Sequence, residues 1–266
     1  MIDKAINAKR FSGFADTYDS ARPRLPAAAA ELLYSYLERK PDLVLDLGCG
    51  TGLSTLIWQG VSQKTIGIEP GKDMFQQALS KSSPAISFMN AYSDNIALPD
   101  QCADIIVCSQ SFHWMEPFST LKESNRLLKS GGIFACVDYD WPPITKWQVE
   151  KAYAVLMEKV NFLEQKNPSL QATFIRFPKS QHLKNIIASG YFTYTREVLF
   201  SSTETCTKKR ILQMAYSQSG LQNVLKTMPK AIEDELKYFI QTVEESYSDE
   251  PFTISFSYRM RMGIKE

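Results

Sequence analysis

The stretch that decides the fold is Leu43 to Thr55, LVLDLGCGTGLST. Leu43-Val44-Leu45-Asp46-Leu47 is a short apolar run, and Gly48, Gly50 and Gly52 follow it at alternate positions. An apolar run of that length, closed by glycine, reads as a buried strand. Leu53 to Gln59 is compatible with a helix, and Gly60 offers its stop. A buried strand that turns through glycines into a helix start forms a cradle for anions and nucleotides. Glycine permits positive φ and close approach of a ligand to the backbone, and the first helical turn presents N–H groups without partners. The dinucleotide fingerprint G-x-G-x-x-G requires a glycine at position 53, where Leu53 stands. The P-loop requires a Gly-Lys-Ser/Thr ending, which is absent from this stretch. The pattern that remains is D-x-G-x-G-x-G.

The bulk properties narrow the class. At 266 residues the chain has room for one large α/β domain or two small ones. A formal charge of +1 gives no electrostatic footprint for nucleic acid or an anionic membrane surface. The five cysteines are odd in number and lack C-x-x-C spacing. Cys108 and Cys136 fall in strand-like runs, so they read as small buried hydrophobes rather than disulfide partners or metal ligands. No signal-peptide core follows Met1, and no apolar run approaches the length of a membrane span. The expectation is a soluble cytoplasmic protein, monomer or homodimer, with no metal.

Outward from the glycine turn, strands and helices alternate. Ala27 to Lys40 reads as a helix, with Leu33, Tyr36 and Leu37 on one face. Thr65 to Pro70 is a short strand ending in Glu69, at the spacing where a nucleotide site needs a carboxylate. One carboxylate accepts both hydrogen bonds of a ribose diol. Gly71 to Ser82 is an amphipathic helix with Met74, Phe75, Ala78 and Leu79 inward. Strands follow at Ala85–Met89, Asp104–Cys108 and Ile133–Tyr139, with a helix from Pro117 to Lys129 that Gly131-Gly132 terminates. In open α/β sheets ligands bind outside the carboxyl ends of the strands, which places Ser109, Gln110, His113 and Trp114 near one. The alternation predicts a doubly wound, mostly parallel sheet. Beyond Trp141-Pro142-Pro143 the pattern turns mainly helical, over Lys146–Gln165, Lys179–Ala188, Lys208–Ser217 and Pro229–Tyr247. Phe192, Tyr194, Val198 and Phe200 mark a sixth strand, and Phe252 to Met262 alternates as an antiparallel seventh. One domain is expected: residues 1–40 an arm and helix, 41–140 the cofactor core, 141–190 a helical substrate cover, 191–266 the last strands and helices.

The D-x-G-x-G-x-G motif after an apolar strand resembles motif I of the class I S-adenosylmethionine (SAM)-dependent methyltransferases. Upstream, the A-x-x-Y-D-x-A-R-P pattern of Ala15 to Pro23 is similar to the segment preceding motif I in the small-molecule subgroup around trans-aconitate methyltransferase. The resemblance implies the seven-stranded methyltransferase sheet and SAM as cofactor. It assigns Asp46, Gly48, Cys49, Gly50, Gly52, Glu69, Pro70, Ser109, Gln110 and Tyr18 to the cofactor. Where the family often has Gly-Asp-Ala-Glu, this chain has Ala91-Tyr92-Ser93-Asp94, so Tyr92 replaces the acid and Ser93 and Asp94 become the adenine neighbours.

The implied reaction is methyl transfer to a small-molecule acceptor. A carboxylate acceptor needs no base, being already ionised near neutral pH. It needs a cation, with Arg22 first, then Arg176 and Arg196. A phenol or amine would call on His113 as general base. Trp114, Tyr139 and Trp141 would wall the pocket, an indole face attracting a sulfonium. Three other readings stand beside this one: an RNA or protein methyltransferase, an NAD-dependent oxidoreductase, and a module that binds SAM without turnover.

Overall fold

A computed structural model describes residues 6–7 and 21–266. Its strands are β1 (Leu43–Leu47), β2 (Lys64–Ile68), β3 (Ile86–Met89), β4 (Ala103–Ser109), β5 (Leu128–Tyr139), β6 (Tyr194–Cys206) and β7 (Phe252–Ile264). They form one sheet in the order β3-β2-β1-β4-β5-β7-β6. β1 to β5 pair in parallel, and β7 runs antiparallel to β5, with Cys136 opposite Arg261. This is the doubly wound, mostly parallel sheet that the alternation predicts. From β1 the chain moves outward through β2 to β3, then returns to place β4 on the other side of β1. That reversal opens a crevice at the carboxyl ends of β1 and β4, where ligands bind in this architecture.

The chain divides into two compact units, and the division falls within β6 and β7. One unit comprises Arg24–Tyr139, Arg176–Phe200 and Tyr258–Glu266. It holds α1 (Ala27–Leu37), α2 (Lys72–Leu79), α3 (Pro117–Leu127) and, by chain order α6, His182–Ala188. Strands buried on both faces read as continuous apolar runs, and β1 and β4 do. Leu45, Leu47, Ile106, Cys108, Phe134 and Cys136 form a core with Phe112, Leu121, Leu127 and Ile186. All five cysteines are free thiols, four of them buried.

The second unit comprises, among the described residues, 6–7, 21–23, Asp140–Ile175 and Ser201–Ser257. It holds α4 (Trp147–Lys166), α5 (Pro168–Gln171), α7 (Lys208–Tyr216), α8 (Ser219–Thr227) and α9 (Glu233–Ser246). α4 buries Val149, Ala152, Tyr153, Leu156 and Val160, a stripe at helical spacing. Tyr153 lies flat on Trp141, at 5.7 Å between ring centroids, and meets Phe239 of α9 edge-on. Gly220 lets α8 approach α4: a Cβ there would stand 3.0 Å from Val160 and 3.2 Å from Glu164. Among the described residues, no helix is long and apolar enough to cross a membrane.

Several elements differ from expectation. The helix expected over Leu53–Gln59 is only a four-residue 3-10 turn, Thr55–Trp58. The Ser54 and Thr55 hydroxyls bond the Asp46 carboxylate, at 2.7 and 2.8 Å. Such side chains draw the backbone away from regular helix. α2 is shorter than expected, and Leu79 is 40% exposed rather than inward. Gly131-Gly132 does not end the helix before β5; both glycines lie inside β5, where Gly131 N–H donates to the Lys265 carbonyl. α8 carries no expectation from the sequence, and α9 begins only at Glu233, after a 3-10 turn over Pro229–Ile232.

Candidate active site

The glycine turn and the end of β2 form one hydrogen-bonded unit. Gly48 and Cys49 N–H both donate to the Ile68 carbonyl, at 2.8 and 3.1 Å. Gly50 N–H donates to Glu69 Oε2 at 2.9 Å, and Gly71 N–H to Glu69 Oε1 at 2.7 Å. One carboxylate therefore ties the loop after β1 to the start of α2. Asn90 Nδ2 donates to the Glu69 carbonyl at 2.7 Å and to that of Pro70 at 3.2 Å, bracing the same segment from the end of β3. Gly48 sits at φ +64°, and a Cβ there would stand 2.7 Å from Met115 and Ser111. Gly50, at φ +58°, has nothing within 4 Å of its Cβ direction. That face of its backbone is open.

The charges here are poised unusually. Burial pushes the Glu69 carboxyl up to about 7, against the lowering pull of the Gly71 and Gly50 N–H groups. Asp46, fully buried, is pushed up to about 6 by burial, against the Ser54 and Thr55 hydroxyls. It braces the loop from below. Burial, with Asp46 and Glu69 nearby, raises the Cys49 thiol well above its usual range, so Cys49 stays a neutral packing residue.

At the carboxyl end of β4, Ser111 Oγ donates to the Leu47 carbonyl at 2.6 Å, locking this segment to the base of the glycine turn. Gln110 adopts φ +53°, and its N–H donates to the Val137 carbonyl. Lys179 Nζ donates to Gln110 Oε1 at 2.6 Å and pairs with Asp138 Oδ1 at 3.0 Å. Asp138 Oδ2 lies 3.1 Å from both His182 Nδ1 and Arg261 Nη1. Burial opposes ionisation of Asp138, yet the His182 hydrogen bond and the Lys179 charge hold it well below the usual carboxylate range. His113 occupies a 3-10 turn, Phe112–Trp114; its Nδ1 lies 3.8 Å from Asp138 Oδ1 and has no hydrogen-bond partner among the described residues. Burial first, then Lys179, depress its pKa well below the ordinary value, so the imidazole is neutral. The Arg176 guanidinium lies over the Trp114 ring, 5.7 Å from its centroid. Tyr139 is buried against Tyr258.

Other expected residues have contacts of their own. Ser93, after β3, pairs its hydroxyl with Thr120 at 2.9 Å, and Asp94 beside it is partly exposed. Arg22 and Trp141 belong to the second unit. There Arg22 Nη2 donates to the Ser217 carbonyl at 2.8 Å, and the guanidinium covers the Trp141 ring at 5.6 Å. Arg196 donates to the Tyr36 hydroxyl. Tyr18 lies outside the described residues.

Comparison with known proteins decides the class. Residues 45–136 match the family model described as "Methyltransferase domain". Residues 45–136 carry a methyltransferase domain. An uncharacterized methyltransferase of Schizosaccharomyces pombe is 26% identical over 257 residues, covering 90% of this chain and 95% of that protein. A malonyl-[acyl-carrier protein] O-methyltransferase of Hamiltonella defensa is 26% identical over 133 residues, 50% of this chain and 51% of that one. The chain likewise spans about half the length of a related Dictyostelium discoideum protein, 51%. A proposed type II methyltransferase from Anaeromyxobacter dehalogenans shares the fold at TM-score 0.68 and 20% identity, over 91% of this chain and 97% of that one.

The methyltransferase domain fits SAM on its own geometry. An ionised carboxylate offers about four lone-pair sites. Gly50 and Gly71 N–H take two of Glu69's, which leaves acceptors for a ribose diol. The open Cβ direction at Gly50 leaves space against the backbone. Sequence reasoning missed Asn90, Ser111, Asp138 and Lys179. Asp138 carried a signal, an acid at the end of an apolar strand. Lys179 carried none, since its contact with Gln110 spans 69 residues.

Proposed function

We propose that this protein transfers the methyl group of SAM to a small-molecule acceptor, with a carboxylate as the favoured acceptor group. The observation that carries this reading is Glu69, which bonds the glycine turn and α2 with one lone pair on each oxygen and keeps acceptors for a ribose. In this reading Gly48 to Gly52 line the cofactor, Ser93 and Asp94 flank the adenine, and Ser109 and Gln110 meet the methionyl end. When bound, the cofactor would supply an electrophilic methyl on its sulfonium, with S-adenosylhomocysteine as the leaving group as the carbon–sulfur bond breaks. The chain aligns the acceptor and excludes water; orientation alone is worth about 7–11 kcal/mol in well-fitted systems. Trp114 offers an apolar wall, and Arg176 above it offers charge for an anionic acceptor. The name of the Hamiltonella relative, an O-methyltransferase of a malonyl group, supports trying carboxylates first.

A second reading rests on His113, whose imidazole is neutral and lies 3.8 Å from the Asp138 carboxylate. It would serve as base for a phenol, or for an amine that reaches it uncharged. Two measurements test these proposals. Calorimetric titration with SAM, S-adenosylhomocysteine and NAD should show saturable binding of the first two; binding of NAD alone would refute the assignment. Release of S-adenosylhomocysteine during a screen of carboxylic acids, phenols and amines then ranks the acceptors. Turnover of phenols or amines alone would replace the carboxylate reading by the His113 one.

A further inference from the structure

Strand order fixes the direction in which a ligand lies across the crevice. Glu69 follows β2, and Ser93 and Asp94 follow β3, on one side of β1. Gln110 follows β4 on the other side. If the ribose meets Glu69 and the adenine lies toward β3, the amino-acid tail of the cofactor extends toward β4 and Gln110. Gln110 is held under unusual constraint there. Its backbone is in the left-handed region, which is strained for a non-glycine residue and persists where surrounding contacts enforce it. Those contacts are the N–H bond to Val137 and the Lys179 bond to the side chain.

The Lys179 contact settles which way the Gln110 amide faces. An ammonium only donates, so the atom facing it at 2.6 Å must be the amide oxygen. The amide NH2 is thereby turned to the opposite side, where one hydrogen has the Tyr139 carbonyl at 3.4 Å. An NH2 group carries two donors. Lys179 is itself no wandering surface lysine. Asp138 Oδ1 anchors its ammonium at 3.0 Å, and only 25% of its side chain is exposed. Asp138 in turn is fixed by His182 and Arg261, and Arg261 by Glu197 at 2.7 Å.

Building on the SAM assignment above, we infer that Lys179 is a positioning residue for the methionyl tail of the cofactor. Anchored on Asp138, it holds the Gln110 NH2 toward the tail and brings a positive charge to the side where the tail's carboxylate lies. Lys179 acts through Gln110, so its loss weakens ligands that carry the tail and spares those that lack it.

The test compares two probes on the full chain by calorimetry: S-adenosylhomocysteine, which has the amino-acid tail, and 5′-methylthioadenosine, which does not. Lys179→Met should weaken S-adenosylhomocysteine about tenfold or more, the scale of one charge-assisted hydrogen bond, and leave methylthioadenosine unchanged. Lys179→Arg should restore most of the loss. Gln110→Leu, which keeps the Lys179–Asp138 pair, should show the same selective loss. The double variant should lose little more than either alone. Equal weakening of both probes, or unchanged affinity for S-adenosylhomocysteine in both single variants, would overturn the inference. If the unaltered protein binds neither probe, the SAM assignment itself fails and takes this inference with it. A tail-selective loss in Gln110→Leu without one in Lys179→Met would keep the cofactor reading and refute the role of Lys179.

Discussion

Glu69→Gln separates the cost of burying this carboxylate from its use. The folded protein holds Glu69 at about 7, against an ordinary value of 4.5. Each pKa unit corresponds to about 1.4 kcal/mol, so well above pH 7 the ionised form costs the fold about 3 kcal/mol. The folded value lies above the unfolded one. Glu69 therefore contributes stability that is fully present below about pH 4.5 and lost as pH rises through about 7. Glutamine removes that loss. It also sets an amide NH2 against either Gly50 N–H or Gly71 N–H, since its single oxygen replaces two acceptors. An orphaned buried donor costs about 1–3 kcal/mol. The two effects oppose each other at similar size, so at pH 8 the unliganded variant should match the parent within about 2 kcal/mol.

Binding should behave differently. Glutamine forfeits one charge-assisted bond to the ribose, about 1.5–3 kcal/mol, or roughly tenfold to a hundredfold in Kd for S-adenosylhomocysteine. The unaltered protein should also bind about tenfold more weakly at pH 6 than at pH 8, because the ionised fraction falls about tenfold per unit below the pKa. The variant should lose that slope. Calorimetric titrations from pH 6 to 8, with thermal unfolding of the unliganded proteins over the same range, read both quantities. A variant with the parent's affinity and the parent's pH slope would refute the assignment of Glu69 to the ribose.

Four further substitutions probe the surroundings. Gly50→Ala places a methyl in open space at φ +58°, so stability should fall by about 1–2 kcal/mol while S-adenosylhomocysteine binding is lost. Gly48→Ala, whose Cβ meets Met115 and Ser111 at 2.7 Å, should unfold at clearly lower temperature than Gly50→Ala; equal melting points would contradict the packing argument. Arg22→Ala removes a bond to the Ser217 carbonyl and the stack on Trp141, which should cost about 1–3 kcal/mol of stability. If turnover of a carboxylate acceptor then persists, read below the melting transition, Arg22 is not the acceptor's clamp. Asp138→Asn leaves Lys179 and Arg261 facing a neutral amide, and breaking such a buried pair costs about 3–5 kcal/mol. Asp138 is held below its ordinary value, so its contribution is present above about pH 4 and lost as pH falls through the folded value. The stability gap between parent and variant should therefore narrow in acid.

What the sequence made legible follows the distance over which each contact acts. The glycine turn, Glu69 and the strand that carries it are joined within about one βαβ unit, where spacing translates directly into geometry. Asp46 belongs to that unit, yet its partners Ser54 and Thr55 turned an expected helix into a short 3-10 turn. Local propensity lost there to a side-chain bond, a competition that periodicity does not register. Gly131-Gly132 had the residue types of a helix stop, but pairing with the far end of the chain at Lys265 drew them into β5. The cluster around Asp138 lies furthest from view. Its members come from β5, β7, the turn after β4, and the start of α6 with the segment before it, and none is within 20 residues of Asp138 in sequence. A lone histidine such as His113 invites a catalytic reading from sequence because its ordinary pKa lies near neutrality. Burial and the Lys179 charge remove that basis: the ring is neutral throughout the physiological range and has lost much of its basicity. A base of depressed pKa still works on an acceptor that is acidic, but not on an aliphatic alcohol or an ordinary amine held as its cation. In the proposed reading with His113 as base, the same burial favours an acceptor that ionises easily, such as a phenol, whereas a carboxylate needs no base.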